Sequence, residues 1–272
     1  PVEAITFQAV ITRNCGLTRY PRPVRTNSCK PCTCEQAIDL RLALRTALRP
    51  LGEFGRILTC LREAETLAEV LDDTRRLGQL SVFLSNHLCW MGTYDEAIAA
   101  GQRTLTLALA NRDVVEHALA NLRLGIAYWI QGDFRRASDC LRQTVTALDG
   151  TQRYERFGQV LVPAVHARGM LLWCCADLGT FAEGRMLGAE GLQIAEVVDH
   201  PGSLMYAYCG VGWLALCQGD SHTALPLLEH AVRLCHEADF PAYFPRQAAA
   251  LGAAHSLGGR VADAIPLLTQ AL

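Results

Sequence analysis

Residues 122–145, LRLGIAYWIQGDFRRASDCLRQTV, carry the pattern that decides the fold. Apolar residues recur three or four positions apart on both sides of Gly132, which is typical of two amphipathic helices joined by a tight turn. The large–small pair Leu124–Gly125 precedes this turn, and the small residue Ala137 follows it. Small side chains at such positions allow two helices to cross closely. The stretch therefore predicts a helical hairpin.

The same pattern recurs along the chain with a period near 40 residues. The turn glycines follow one another at intervals of 40, 40, 47, 40 and 40 residues: Gly52, Gly92, Gly132, Gly179, Gly219 and Gly259. Extra residues in the polar stretch 149–156 explain the long interval. One hairpin cannot bury its own apolar faces, whereas stacked hairpins can. We predict an all-α fold, a right-handed superhelical solenoid of about six helical hairpins, with twelve helices and no strand.

These residues resemble the tetratricopeptide repeat. More narrowly, residues 131–145, 178–196 and 257–272 (QGDFRRASDCLRQTV, LGTFAEGRMLGAEGLQIAE and LGGRVADAIPLLTQAL) resemble the C-terminal repeats of bacterial signalling proteins. In those proteins a class III adenylate or guanylate cyclase domain and a signal-transduction ATPase module precede the repeats. The resemblance covers residues 35–272. It implies a non-catalytic scaffold, the sensory part of such a protein, whose concave groove binds a protein segment or a neighbouring domain. The alternative is a small-ligand (inducer) sensor of an ATPase-type transcriptional regulator.

Composition and missing motifs exclude several other functions. The chain has 25 basic and 27 acidic residues, so no positive excess favours nucleic acid or an anionic membrane. No apolar run approaches the roughly 18–20 residues that cross a bilayer. The sequence contains no phosphate-binding loop, no nucleophile elbow and no zinc-protease helix. We therefore expect no catalysis, cofactor or metal. Since all basic residues except Lys30 are arginines, we expect a protein of a GC-rich bacterium. The cysteines, expected as free thiols, favour a location in the reducing cytoplasm.

Residues 1–34 differ from the remainder, so we predict a boundary between this segment and a repeat domain at 35–272. Residues 1–34 carry a net charge of +4, against −6 for 35–272. Residues 2–10 resemble the second helix of a preceding repeat, but residues 11–34 contain three prolines, which break helical hydrogen bonding.

Three hypotheses fit this segment: a metal knuckle, an irregular arm and a translated frameshift. The metal knuckle would use Cys29, Cys32 and Cys34 with the distant Cys15, which suits zinc poorly. We favour the other two hypotheses and predict that residues 11–34 neither pack into the superhelix nor bind metal. The cysteines at 60, 89, 140, 174, 175, 209, 217 and 235 lie in predicted helices, and we expect them to be buried free thiols.

The resemblance also indicates which residues would line the concave groove. In tetratricopeptide proteins the first helix of each hairpin faces this groove, and the corresponding residues here are Gln79, Asn86, Trp90, Leu122, Trp129, His166, Trp173, Tyr206, Trp213 and Arg246. All four tryptophans belong to this set, and Trp and Tyr dominate binding hot spots. The alternative is that they fill gaps between helices. The few charges disfavour a clamp for acidic peptide tails.

Overall fold

The computed structural model describes residues 31–49 and 53–270. In this part of the chain there are twelve α-helices and no strand, which confirms the predicted fold class. The helices are α1 (Pro31–Leu48), α2 (Phe54–Val70), α3 (Thr74–Trp90), α4 (Tyr94–Asn111), α5 (Val114–Ile130), α6 (Phe134–Ala147), α7 (Pro163–Leu178), α8 (Phe181–Val198), α9 (Pro201–Cys217), α10 (Ser221–Glu237), α11 (Phe244–Leu257) and α12 (Val261–Gln270). The chain divides into two compact units, residues 1–77 and 78–272.

The repeated glycines form the turns within hairpins, as predicted. Glycines 92, 132, 179, 219 and 259 have φ angles from 74° to 81°, a left-handed conformation that favours glycine. An aspartate follows two of these turns and caps the helix that begins at the next residue. Asp133 Oδ1 accepts a hydrogen bond from the Arg136 backbone N–H at 3.1 Å, and Asp220 Oδ1 accepts one from the Thr223 N–H at 3.0 Å. These caps satisfy backbone donors that have no partner within the helix.

The first unit contains α1 and α2, whose facing sides carry the buried residues Ile38 and Leu61. Arg41 Nη2 of α1 forms an ion pair with Glu63 Oε2 of α2 at 2.8 Å. Helix α1 begins at Pro31, upstream of the predicted start at residue 35, and Cys34 is buried within it. Proline is tolerated in the first turn of a helix, so Pro31 does not interrupt α1. The prediction that residues 11–34 do not pack with the helices is wrong at Cys34, which is buried in α1. For residues 11–30 the prediction falls outside the described part of the chain.

The second unit stacks antiparallel helical hairpins around a common core. In the α5–α6 hairpin, Thr144 Oγ1 donates a hydrogen bond to the Ala118 carbonyl at 3.0 Å, while Gly125 lies against Leu141 further along the pair. Successive hairpins are joined as well, because the Val162 N–H donates to Ser203 Oγ at 3.0 Å. The core is mostly aliphatic and includes the fully buried residues Leu122, Leu141, Met170, Leu171, Leu172 and Met205. Burial of these faces stabilises the stack.

The seven extra residues of the long interval fall between α6 and α7. This connection contains a 3₁₀ helix, Gly150–Tyr154, and then two residues with positive φ, Phe157 and Gly158. This connection places the side chain of Gln159 in the interior of the unit. Arg123 Nη2 donates a hydrogen bond to Gln159 Oε1, and both side chains are buried. The position of the insertion was predicted correctly from the sequence, but no pattern in the sequence indicated the contact between Arg123 and Gln159.

Nine cysteines of the described residues are free thiols: Cys34 and the eight predicted helical cysteines. Burial raises the pKa of the Cys174 and Cys209 thiols to about 12, and that of Cys89 to about 11. The expectation that all eight predicted helical cysteines are buried is wrong in part, because Cys60, Cys89 and Cys140 are half-buried. Cys217 is exposed, because it is the last residue of α9 and lies beside the turn rather than between helices. Of the helices described, none combines the length and apolar character needed to cross a membrane.

His200 immediately precedes α9 and caps its N-terminus, and this position predicts a dependence of stability on pH. Its Nδ1 accepts a hydrogen bond from the Ser203 backbone N–H at 3.2 Å, which requires an unprotonated nitrogen. Burial, together with the positive charge of Arg156, lowers the His200 pKa below its ordinary value of 6.5. Below about pH 6.5 the unfolded chain therefore binds a proton more readily than the folded chain, and acid weakens the fold.

We expect the substitution His200→Asn to reduce this loss of stability. Asparagine also caps helices well but does not titrate. Urea unfolding between about pH 7.5 and pH 5 should show a smaller fall in the free energy of unfolding than in the parent protein. The exposed histidine His222, changed to Asn, serves as the comparison for removal of a surface histidine. An identical pH dependence in His200→Asn and the parent would contradict this role.

Candidate binding face on the first helices

The candidate residues lie on the first helices of successive hairpins, α3, α5, α7, α9 and α11. In α7, His166 and Trp173 are seven residues apart, two turns along one face of the helix, and Tyr206 and Trp213 repeat this spacing in α9. Arg246 takes the position of His166 and Tyr206 in α11, 40 residues after Tyr206. The regular period therefore aligns these side chains along the stack.

The ten residues differ widely in their exposure to solvent. Gln79, Trp90 and Arg246 are exposed, and Asn86, Trp129, His166 and Trp213 are half-buried. Leu122, Trp173 and Tyr206 are buried, with Trp173 only 4% and Tyr206 only 1% exposed. Leu122 lies in the core of the unit. The set therefore contains an accessible group and a group that packs internally.

Four of these residues form one cluster of ring contacts, which we call the aromatic cluster: Trp129, His166, Trp173 and Tyr206. The ring centroids of Trp173 lie 5.6 Å from Trp129 and 5.3 Å from Tyr206. His166 meets Tyr206 edge to face, with centroids 4.8 Å apart. The cluster thus joins α5, α7 and α9. Trp129 Nε1 also donates a hydrogen bond to Asp177 Oδ2 at 2.9 Å. Trp213 makes no ring contact with the cluster among the residues described.

Arg246 brings a positive charge to the aromatic cluster. Its guanidinium carbon lies 4.7 Å from the centroid of the Trp173 ring, a cation–π arrangement. Burial raises the pKa of the Tyr206 hydroxyl far above its ordinary value of 10, and the nearby Arg246 charge partly opposes this rise. Arg246 is therefore close to both Trp173 and Tyr206, although it belongs to a different hairpin from either.

Two polar atoms of the aromatic cluster are buried without a hydrogen-bond partner: Trp173 Nε1 and Tyr206 Oη. The side-chain amide of Gln247, next to Arg246 on α11, is also buried and unpaired. Each such group costs roughly 1–3 kcal/mol, because it loses its hydrogen bonds to water on folding. Buried polar groups in folded proteins are otherwise almost always paired.

Two further aromatic residues, which sequence analysis missed, extend this face. Tyr243 contacts Trp90 edge to face with ring centroids 5.9 Å apart, and Phe240 contacts Tyr243 at 6.1 Å. Phe240 and Tyr243 precede α11, so they occupy no position of the helical repeat. The density of aromatic residues in 240–244, FPAYF, is the one signal that could have marked them.

Asn86 is held in a polar network. Arg123 Nη1 donates a hydrogen bond to Asn86 Oδ1 at 3.1 Å, so the Asn86 carbonyl oxygen already has a donor. No group of three or more potential metal ligands occurs among residues 31–49 and 53–270. Cys15 and Cys29 of the hypothetical metal knuckle lie outside these ranges, and the metal question stays a prediction.

Comparisons with known proteins identify the fold. Residues 76–149 match the tetratricopeptide repeat family model. The fold is a tetratricopeptide-like solenoid. The Rap conjugation gene regulator of plasmid pLS20, solved with the Phr* peptide, is similar with a TM-score of 0.72 and 15% identity, covering 90% of this chain and 62% of that one. The apo form of RapI is similar with a TM-score of 0.69 and 10% identity, covering 99% of this chain and 88% of that one.

A third tetratricopeptide-like structure belongs to a signal transduction ATPase with numerous domains. This protein from Pyrococcus horikoshii carries a tetratricopeptide repeat sensor, and the TM-score is 0.56 at 13% identity, covering 90% of this chain and 36% of that one. No curated protein matches the chain significantly in sequence. The tetratricopeptide fold is in general a non-catalytic scaffold.

Proposed function

We propose that the chain is a non-catalytic scaffold whose first helices bind a short protein segment or peptide. The observation that carries this proposal is the aromatic cluster, in which Trp173 contacts both Trp129 and Tyr206 of the two neighbouring hairpins beside the exposed Arg246. Aromatic and arginine side chains supply most of the energy of many protein interfaces. The Rap regulator of similar fold was solved with the Phr* peptide, which supports a peptide as the ligand class.

The test is selection of short random-sequence peptides displayed on phage against the purified chain. Selected peptides should bind with an affinity that falls on the order of 10-fold or more in the Trp129→Ala and Trp213→Ala variants. Met186 provides the matched control, because it is exposed on the second helix α8, and Met186→Ala should leave affinity unchanged. Peptides that bind all three variants equally would show that binding occurs elsewhere.

We further propose that this repeat region is the sensory part of a cytoplasmic bacterial signalling protein of the adenylate cyclase and ATPase type. The resemblance of residues 131–145, 178–196 and 257–272 supports this parent, as does the similar sensor in the Pyrococcus horikoshii ATPase. Sequencing of the DNA upstream of the coding region is the direct test. Reading frames that encode cyclase and ATPase domains are expected, and unrelated genes would contradict the proposal.

The alternative function is a sensor of a small inducer. One observation favours it: Trp173 Nε1 and Tyr206 Oη are buried without a hydrogen-bond partner, whereas buried polar groups in folded proteins are almost always paired. A sensor of this kind should retain a compound from a peptide-free metabolite fraction during dialysis. Mass spectrometry of the retained compound, with a variant such as Tyr206→Phe for comparison, distinguishes specific retention from surface adsorption.

A further inference from the structure

The connection before α11 is longer than the corresponding connection before α9. The chain leaves α10 through Asp239, with φ 53°, much as it leaves α8 through Asp199, with φ 50°, so the two connections start alike. Helix α9 begins two residues later, at Pro201, whereas α11 begins only at Phe244. The two helices end at equivalent positions, 40 residues apart. The first turn of α11 is therefore missing, and residues 241–243 form a turn segment in its place.

Two features of the sequence explain the missing helical turn. A helix that began at Pro241 would place Pro245 at its fifth position, where proline lacks the required N–H and clashes with the Pro241 carbonyl. The later start places Pro245 in the first turn, where proline is tolerated. In addition, His200 caps α9, whereas Phe240 at the equivalent position has no side-chain acceptor. The sequence thus keeps residues 241–243 out of the helix.

This segment extends over the binding face of the first helices. Tyr243 contacts Trp90 of α3 edge to face, with ring centroids 5.9 Å apart. Burial is the main cause that raises the pKa of the Tyr206 hydroxyl on α9, and Tyr243 adds to this rise, so the two phenol groups lie near each other. Trp90 and Tyr206 both belong to the candidate residues of the face. Tyr243 therefore spans the face from α3 to α9.

Residues 240–243, which we call the strap, are held mainly by local backbone bonds. The Phe240 carbonyl accepts a hydrogen bond from Cys235 Sγ at 3.2 Å and another from the Tyr243 N–H at 3.0 Å. The Tyr243 carbonyl accepts a bond from the Gln247 N–H of α11 at 3.4 Å. The contact between Tyr243 and Trp90, by contrast, joins two side chains. Rotation of the Tyr243 side chain breaks this contact and leaves the backbone bonds intact.

The contact between Trp90 and Tyr243 also differs from the ring contacts of the core. Trp90 is 40% exposed although the Tyr243 ring lies against it, and Tyr243 is itself half-buried. Trp173 and Tyr206, which contact each other in the aromatic cluster, are only 4% and 1% exposed. An edge-to-face pair contributes a small free energy beyond the area that it buries, and an aromatic side chain of a ligand can replace one of its rings.

We propose that the strap is an autoinhibitory element, which covers part of the binding face and competes with a peptide ligand for it. This inference rests on the proposed function, because the strap and the ligand share the same face. The described structure is the closed form. In the open form Tyr243 leaves Trp90, and an aromatic side chain of the peptide takes its place. The closed fraction of the protein lowers the apparent affinity for the peptide.

The first test compares peptide affinity in the parent and in Tyr243→Ala, by isothermal titration calorimetry of the phage-selected peptides with the full chain. Tyr243→Ala should bind about 3-fold to 10-fold more tightly, because loss of one edge-to-face pair favours the open form by a factor of this order. Tyr243→Phe keeps the ring and should bind as the parent does. Weaker or unchanged affinity in Tyr243→Ala would overturn the proposal, since Tyr243 would then be part of the binding surface or irrelevant to it.

Tyr154→Ala is the matched control for this substitution. Tyr154 is also a partly exposed tyrosine of an interhelical connection, because it is 40% exposed and ends the 3₁₀ helix between α6 and α7. Its truncation should leave the affinity for the peptides unchanged. A gain in affinity as large as that in Tyr243→Ala would show that removal of any surface tyrosine suffices, and this result would contradict a specific role of the strap.

The second test observes Trp90 directly, by ¹⁹F NMR of protein labelled with 5-fluorotryptophan. The chain has four tryptophans, and Trp90→Phe identifies the signal of Trp90 among the four. Tyr243→Ala should shift this signal, and the selected peptide should also shift it in the parent, because both remove the Tyr243 ring from Trp90. Without peptide, relaxation dispersion of the Trp90 signal should report exchange with the open form in the parent but not in Tyr243→Ala.

The outcomes separate the strap from the proposed function. Peptides that bind through Trp129 and Trp213 but leave the Trp90 signal unchanged would overturn the strap, and the proposed function would stand. If no peptide binds the parent or Tyr243→Ala, the proposed function fails, and the measurement without peptide still decides whether the strap opens. Dispersion at Trp90 that disappears in Tyr243→Ala supports opening, and its absence in the parent overturns the strap as well.

Discussion

Replacing Trp173 with alanine should destabilise the protein by about 3–5 kcal/mol, the range for truncating a large buried aromatic residue. Trp173 is only 4% exposed and contacts Trp129 of α5, Tyr206 of α9 and Arg246 of α11. Its removal would leave a cavity where four hairpins meet. Urea unfolding followed by circular dichroism measures the loss directly.

The control for this experiment is Trp90→Ala. Trp90 is 40% exposed, so its truncation removes less buried surface and should cost less than about 2 kcal/mol. Similar losses for the two variants would mean that Trp173 contributes little to packing. The comparison therefore decides, for one residue, between the two hypotheses raised by the sequence: gap filling and ligand contact.

Gly212→Ala should destabilise the protein by about 1–3 kcal/mol, the usual cost of overpacking a core. An added Cβ at Gly212 would lie 2.7 Å from Leu228 Cγ and 3.3 Å from Leu227 Cβ, too close for either atom. Leu228 is fully buried in α10, in a close-packed core. The substitution would force α9 and α10 apart and thereby disturb the helix that carries Tyr206.

Gly210→Ala in the same helix is the matched control. A Cβ at Gly210 would have its nearest neighbour, Gly169 Cα, at 3.9 Å, an ordinary van der Waals distance. Since alanine favours a helix by up to about 1 kcal/mol over glycine, this variant should be as stable as the parent or more stable. Thermal unfolding of both variants checks the contrast. A loss of stability in Gly210→Ala as large as that in Gly212→Ala would contradict the role of close helix packing.

The hairpins were predictable from the sequence because they depend on local constraints that repeat. The left-handed turn requires a glycine such as Gly132, and the close approach of two helices requires a small residue such as Gly125. Both requirements recur in the sequence about every 40 residues. The start of α1 was not predictable in this way. Pro31 resembles a helix breaker in a segment rich in prolines, yet at the first position of a helix it costs nothing.

The candidate site was predictable only in part. The repeat aligned His166, Tyr206 and Arg246, but it could not show that Arg246 stacks on Trp173 of a non-adjacent hairpin. That contact depends on the rotation of each hairpin relative to the one before it, and a local sequence pattern does not predict this rotation. Tyr243 was missed for a related reason, because it lies before α11 and has no equivalent in the other hairpins.

The contact between Trp90 and Tyr243 has a consequence for how the second unit unfolds. In most repeat proteins each repeat touches only its neighbours, so stability is a sum of local terms and the ends fray first. Here Trp90 of α3 meets Tyr243 at the start of the last hairpin, and Arg246 meets Trp173 two hairpins away. Loss of the last hairpin would therefore remove contacts from the middle and the beginning of the stack. We expect such long-range contacts to make unfolding of the second unit more cooperative than in a solenoid whose repeats touch only their neighbours.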